Sequence, residues 1–165
     1  MLIRWLSSSD QAFLWDALYY AIHVPAGEAV PSREIVNRLE LSCYVSGWMQ
    51  RPGDLGVVAE DHNVPIGAAW LRCWTCQQHG YGFVGEKTPE LSMSVVPGYR
   101  GRGVGTKMLR RLLSAAEDSF TAVSLSVSES NPAKRLYERE GFVPIGPSGD
   151  GPITMVKVLS GQSAI

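Results

Sequence analysis

A strand that runs into a glycine-rich turn and out into a helix constrains this chain more than any other feature. Leu91, Met93 and Val95 alternate with Ser92 and Ser94, the period of a half-buried strand. Pro97-Gly98 ends it. Arg100-Gly101-Arg102-Gly103-Val104-Gly105 follows, and Val104, Met108, Leu109, Leu112, Leu113 and Ala116 then recur at helical spacing. This layout turns unpaired backbone N–H groups and the positive end of a helix dipole toward an anion. The glycines let the backbone approach a ligand closely, and Arg100 and Arg102 add charge suited to phosphate oxygens.

Two familiar phosphate loops do not fit. A nucleoside-triphosphate loop ends in Gly-Lys-Ser/Thr, whereas Gly105-Thr106-Lys107 has the residues in another order. A dinucleotide fingerprint counted from Gly101 meets Gly103 and then Thr106 where glycine is required. Arg-x-x-Gly-x-Gly after Val95-Val96-Pro97 remains, and a second block stands downstream: Asn131-Pro-Ala-Lys-Arg-Leu-Tyr-Glu-Arg-Glu-Gly-Phe142. Asparagine followed by proline opens a helix, and Gly141 closes it.

Together these blocks closely resemble the GNAT superfamily of acetyl-CoA-dependent N-acetyltransferases. One departure is that Ala133 stands two rather than three residues after the asparagine. The resemblance implies an α/β fold, a mixed and mostly antiparallel sheet of six to seven strands flanked by helices. It also implies direct acetyl transfer from acetyl-CoA to a primary amine, without a metal. Arg100, Gly101, Arg102, Gly103, Val104, Gly105 and Thr106 would hold the cofactor pyrophosphate. The backbone of Val95 or Val96, together with Asn131, would hold the pantetheine arm between two splayed strands. Tyr137 would protonate the leaving thiolate and Glu90 would assist amine deprotonation, directly or through water. Each of these side chains also has a plainer reading: a helix cap for Asn131, core packing for Tyr137, a solvated strand-end charge for Glu90. A non-catalytic acyl-CoA-binding module on the same fold is the alternative.

The rest of the chain agrees with one N-acetyltransferase domain over residues 1–165. Residues 1–89 would be mainly the acceptor side, 90–146 the acetyl-CoA-binding core, and 160–165 a frayed tail. Leu2–Leu6 reads as a strand, Ala12–Ile22 as a helix, and Pro31 onward as a helical segment with Ile35, Val36 and Leu39 inward. Leu41–Met49 reads as a further short helix. Leu55–Glu60 and Ile66–Cys76 form a hairpin about Asp61-His62-Asn63, Gln77–Pro89 is a loop, and Thr121–Val127, Phe142–Ile145 and Ile153–Leu159 are strands. Residues 1–89 carry six Lys/Arg and nine Asp/Glu, and residues 90–165 carry nine and seven. The mildly basic half therefore contains the phosphate loop. A net charge of −1 gives no global attraction to nucleic acid or membrane.

Three cysteines and the absence of an N-terminal apolar run point to the cytoplasm. Cys73-Trp-Thr-Cys76 has redox or zinc spacing, but its place on an expected strand argues for ordinary packing. His23, His62 and His79 are too scattered to suggest a triad. Trp15, Tyr19, Tyr20, Tyr44, Trp48, Trp70, Trp74, Tyr81 and Phe83 make the acceptor half aromatic. The acceptor itself stays open among polyamine, drug, amino acid and protein N-terminus, and a homodimer stays open as well.

Overall fold

A computed structural model describes residues 1–146 and 151–160. Its strands are β1 (Leu2–Trp5), β2 (Leu55–Asp61), β3 (Val64–Arg72), β4 (Glu90–Val95), β5 (Ala122–Val127), β6 (Val143–Ile145) and β7 (Ile153–Val158). They form one sheet in the order β1-β2-β3-β4-β5-β7-β6. Every neighbouring pair is antiparallel except β4 and β5. The helices are α1 (Gln11–Ala21), α2 (Leu39–Ser42), α3 (Val104–Ala116) and α4 (Ala133–Arg139). The expected mixed, mostly antiparallel sheet flanked by helices is the observed architecture. No helix among the described residues is long and apolar enough to cross a membrane.

Burial on both faces explains why β2 and β3 read as continuous apolar runs. Val57, Ala59, Ala69 and Leu71 pack with α3 in one core, while Val58, Ala68 and Trp70 pack on the other side with Leu14, Ala17 and Leu18 of α1. All six apolar residues that predicted α3 are buried in the first core. At the β2–β3 turn His62 and Asn63 have φ of 48° and 63°. Two consecutive positive values suit the right-handed twist of a hairpin, and asparagine tolerates them well.

Three expectations need correction. Leu39 is 72% exposed rather than inward, because the extended backbone of Arg38 separates the turn Arg33–Asn37 from α2 and resets the helical phase. The segment Leu41–Met49 is not one helix: α2 stops at Ser42, and turns follow with positive φ at Gly47 and Met49. β3 ends at Arg72, not Cys76. Here the buried guanidinium is satisfied at all five N–H groups. Nε and Nη2 donate to Asp54 at 3.0 and 2.9 Å, Nη1 donates to Cys43 O and Ser46 O at 3.0 and 2.6 Å, and Nη2 also donates to Gly47 O at 3.2 Å. One side chain thus ties the end of β3 to the turns after α2. The expected frayed tail falls almost wholly on residues 161–165, outside the described residues.

Arg4 plays a similar role at the sheet's first edge. It donates to both Asp10 oxygens at 2.8 and 2.9 Å and to Glu60 at 2.8 Å, while Asp10 also accepts the Ser7 N–H at 2.8 Å. The Arg4 hydrogen bonds pull the Asp10 carboxyl down to about 2. A depressed folded value stabilises the protein above the unfolded pKa, and that stabilisation is lost as pH falls through the folded one. Asp10→Asn should therefore cost about 1 kcal/mol at pH 7, a figure discounted because Arg4 is partly solvated. The difference from wild type should shrink as pH falls from 3.8 to about 2, which urea denaturation at several pH values checks.

Candidate active site

The parallel pair β4/β5 is joined at one register point, Glu90 opposite Ser124, with Ser124 N–H donating to Pro89 O at 3.0 Å. Beyond that point the strands diverge around a cavity of about 1080 Å³. The β4 edge that faces this gap follows from the register with β3. Val96 N–H donates to Ile66 O at 2.8 Å, one place beyond the Gly67–Val95 pair. Bonded and non-bonded pairs alternate in an antiparallel ladder, so Val95 and Met93 turn their N–H and C=O groups away from β3 and into the gap. Arg100 Nε donates to the Val95 carbonyl at 2.9 Å. Of the two valines named from the sequence, Val95 therefore offers a free N–H, and Val96 has spent its own on β3.

The glycine-rich turn closes one end of the cavity. Gly101 and Gly103 have φ of 73° and 79°, a region that glycine enters without strain, and a Cβ on either would project into open space. Gly103 caps α3 in this conformation. The amides of Gly101 to Thr106 have no backbone acceptor among the described residues, and the helix ladder begins only with Lys107 N–H on Gly103 O. These amides open the 13-residue helix α3, so they form an anion cradle with a helix dipole behind it. Arg100 lines the cavity, but its guanidinium turns back to the Val95 and Tyr20 carbonyls and ties β4 to the end of α1. Arg102 lies over the Tyr99 ring, 5.5 Å from its centroid, outside the cavity lining.

Asn131 Oδ1 accepts the Ala133 N–H at 2.9 Å from one place ahead of the cap position, which Pro132 occupies, and the residue lines the cavity as well. Tyr137 on α4 is buried edge-to-face against Phe142 and also reaches the cavity. Burial pushes its phenol up to about 12, and among the described residues its hydroxyl has no hydrogen-bond partner. A protonated, unpartnered phenol in a cavity wall can donate to a nascent anion.

Glu90 is 2% exposed at the start of β4. Its Oε2 accepts the Tyr44 hydroxyl at 2.5 Å, and its Oε1 accepts Gly82 N–H at 2.8 Å and Trp74 Nε1–H at 3.1 Å. Burial raises its pKa, opposed by those three hydrogen bonds. A carboxylate has about four acceptor positions, so one remains, on Oε2. Tyr44 also accepts the Tyr81 N–H at 2.8 Å, and burial together with the Glu90 charge raises its phenol too. Glu90 is thus the post to which the loop between β3 and β4 is fastened, a role that the sequence does not announce. Its one signal was three glycines amid aromatic residues. A Cβ on Gly82 would lie 2.8 Å from the Leu125 carbonyl carbon and 3.0 Å from Glu90 Cδ, and one on Gly80 would lie 2.3 Å from the Tyr44 oxygen.

The structure brings Glu90, Val95, Arg100, Gly101, Gly103, Val104, Gly105, Thr106, Asn131 and Tyr137 around one cavity, and leaves Val96 and Arg102 outside its lining. Cys73 and Cys76 lie in the turn past β3, not on a strand, and no group of three or more metal-ligating side chains occurs among the described residues.

Residues 52–144 match the family model described as an acetyltransferase (GNAT) domain. No curated protein matches in sequence. Among solved structures, the putative acetyltransferase yncA of Salmonella typhimurium, solved with its cofactor acetyl-CoA, is 24% identical with a TM-score of 0.69, covering 100% of this chain and 97% of that one. The ribosomal-protein-alanine N-acetyltransferase of Brucella melitensis is 22% identical with a TM-score of 0.65, over 96% and 100%. The PaiA N-acetyltransferase of Thermoplasma acidophilum, in complex with coenzyme A, is 17% identical with a TM-score of 0.66, over 96% and 99%. Those likenesses are of fold. With the family model matching more than half of its length, the chain belongs to the GNAT acetyltransferase family.

Proposed function

We propose that this protein transfers the acetyl group of acetyl-CoA directly to a primary amine. One observation carries the reading: the unpaired edge of β4 runs from a cradle of free amides at Gly101–Thr106 to a cavity wall holding Tyr137. The cradle suits a pyrophosphate, and the cleft-facing N–H groups of Met93 and Val95 suit the amides of a pantetheine arm. Asn131 contributes its amide nitrogen beside that arm while its oxygen holds the first amide of α4. Residues 90–146 thus serve the cofactor, and the acceptor is met mainly by residues 1–89.

Acetyl-CoA supplies the reactive thioester. The amine nitrogen attacks the thioester carbonyl carbon, the C–S bond breaks, Tyr137 gives its proton to the departing sulfur, and the second proton shed by the acylated nitrogen restores the Tyr137 phenol. A free alkylammonium has a pKa of about 10.4 and no lone pair, so it must lose a proton first. The remaining acceptor position on Glu90 Oε2 can take that proton, directly or through water, and the raised pKa of this carboxyl favours the transfer. The triple hydrogen bonding of Glu90 is also what a non-catalytic acyl-CoA-binding module would use to fix its loop, and that rival predicts binding without turnover.

Gly103→Val should weaken coenzyme A binding by more than about tenfold, since the side chain would enter the phosphate approach and strain a left-handed position. Titration calorimetry on the folded variant checks this, and an unchanged dissociation constant would remove the cradle reading. Tyr137→Phe removes only the hydroxyl, so kcat should fall by roughly 10²–10⁴-fold with little change in cofactor affinity. A wild-type rate would leave Tyr137 as packing alone.

Glu90→Gln keeps an oxygen for Gly82 and Trp74 and should therefore keep the loop. It should lower kcat/KM most near neutral pH and approach wild type above about pH 9, where free amine becomes plentiful. In the wild type, activity should fall as pH drops through the raised Glu90 value, because only the ionised carboxylate accepts a proton. Parallel pH–rate profiles for variant and wild type would exclude the base role.

A further inference from the structure

The cavity also takes walls from residues 1–89, and this side of its lining differs from the glycine-rich turn. Leu18 and Ile22 from the end of α1, Val30 and Pro31 from the segment after it, Leu41 from α2 and Tyr44 form its walls. Val30 is 72% exposed although apolar, so the hydrophobic core does not account for its side chain. The wall is braced from outside. Tyr19 donates its hydroxyl to Pro31 O at 2.7 Å, while Arg33 pairs with Asp16 and lies over the Tyr19 and Tyr20 rings at 4.9 and 5.2 Å.

Charge is nearly missing from the cavity lining. Among the described residues, the carboxylate in the cavity lining is Glu90, which already holds three donors. The basic side chains in the lining are Arg100, turned onto two carbonyls, His23, bonded to Ser130 Oγ, and Arg139 on α4, in the half of the chain proposed to serve the cofactor. A polyamine would need a second carboxylate for its second ammonium. A free amino acid would need an uncommitted cation for its carboxylate. An extended peptide would need an open strand edge, yet the loop at Gly82 lies flush on Leu125 and Ser126 of β5.

We infer that the acceptor is a small primary amine carried on an apolar, preferably aromatic, body. The nitrogen sits near Glu90 and Tyr44, and the body lies against Leu41, Val30 and Pro31. The inference rests on the acetyl-transfer reading above and narrows it to one chemical class.

The test measures thiol release from acetyl-CoA with 2-phenylethylamine, spermidine and alanine as separate acceptors, beside calorimetry of coenzyme A binding. The expected kcat/KM for 2-phenylethylamine exceeds the other two by at least about tenfold, the scale set by a few buried methylenes. Val30→Asp should shrink that advantage by about tenfold and leave the dissociation constant for coenzyme A unchanged. Equal or faster turnover of spermidine or alanine would overturn the acceptor class while acetyl transfer stands. An advantage untouched by Val30→Asp would also overturn it, since the apolar wall would not be reading the body. Coenzyme A binding with no thiol release from any of the three amines would overturn the transfer reading and this inference with it.

Discussion

The sheet is held together by paired strands everywhere but at one seam, and the candidate site exists because of that seam. Two parallel strands that stayed paired along their length would satisfy each other's N–H and C=O groups and leave nothing for a ligand. Here β4 and β5 meet only at Glu90 and Ser124 and then separate. Backbone groups left open inside a protein are costly unless something replaces the missing strand. The gap is filled near Glu90 by the loop carrying Gly82 and opens elsewhere into the cavity. An extended ligand arm rich in amides is the natural substitute for the missing partner.

Holding that seam places a charge where the protein would otherwise put none. Burying a lone carboxylate costs several kcal/mol, and Glu90 is among the most buried polar residues of the chain. The cost is offset by a phenol from the turns after α2 and by an indole and a backbone amide from the β3–β4 connection. The same three donors organise the loop between β3 and β4, since Tyr44 in turn holds the Tyr81 amide. Arg72, opposite Glu90 in the β3–β4 ladder, does the matching work with Asp54 and three carbonyls. Two buried ions of opposite sign therefore fix the loops on either side of the same ladder pair. Replacing either by an apolar residue would leave several polar partners unsatisfied, a larger penalty than the loss of one contact.

The half of the site proposed for the cofactor was legible because backbone conformation defines it. Left-handed glycines, a helix start and a period-two strand are local properties that the chain must write into consecutive residues, and Gly101, Gly103, the six buried positions of α3 and the strand at Glu90 all stand where that pattern puts them. What the sequence could not show was long-range. The distinction between Val95 and Val96 depends on which of them faces β3, a matter of register with Ile66 and Gly67. The end of β3 at Arg72 depends on Asp54 and the 43–47 turn. Leu39 misled because the periodicity counted across Arg38 belongs to two different elements.

The half proposed for the acceptor inverts this logic. Its walls come from α1, the segment after it and α2, pieces with little regular structure in common, and side chains rather than backbone groups give it character. Aromatic residues were evident there from composition, but which of them pack and which face the cavity is decided only by folding. Trp48 and Trp70 lie wholly within the core, whereas Tyr44 belongs to core and cavity at once. A backbone-built cradle can be kept by a few glycines while a side-chain-built half changes with any apolar-to-charged substitution in its wall. A cofactor shared across a family and an acceptor that varies within it place these two different demands on one fold, and the seam between β4 and β5 is where they meet.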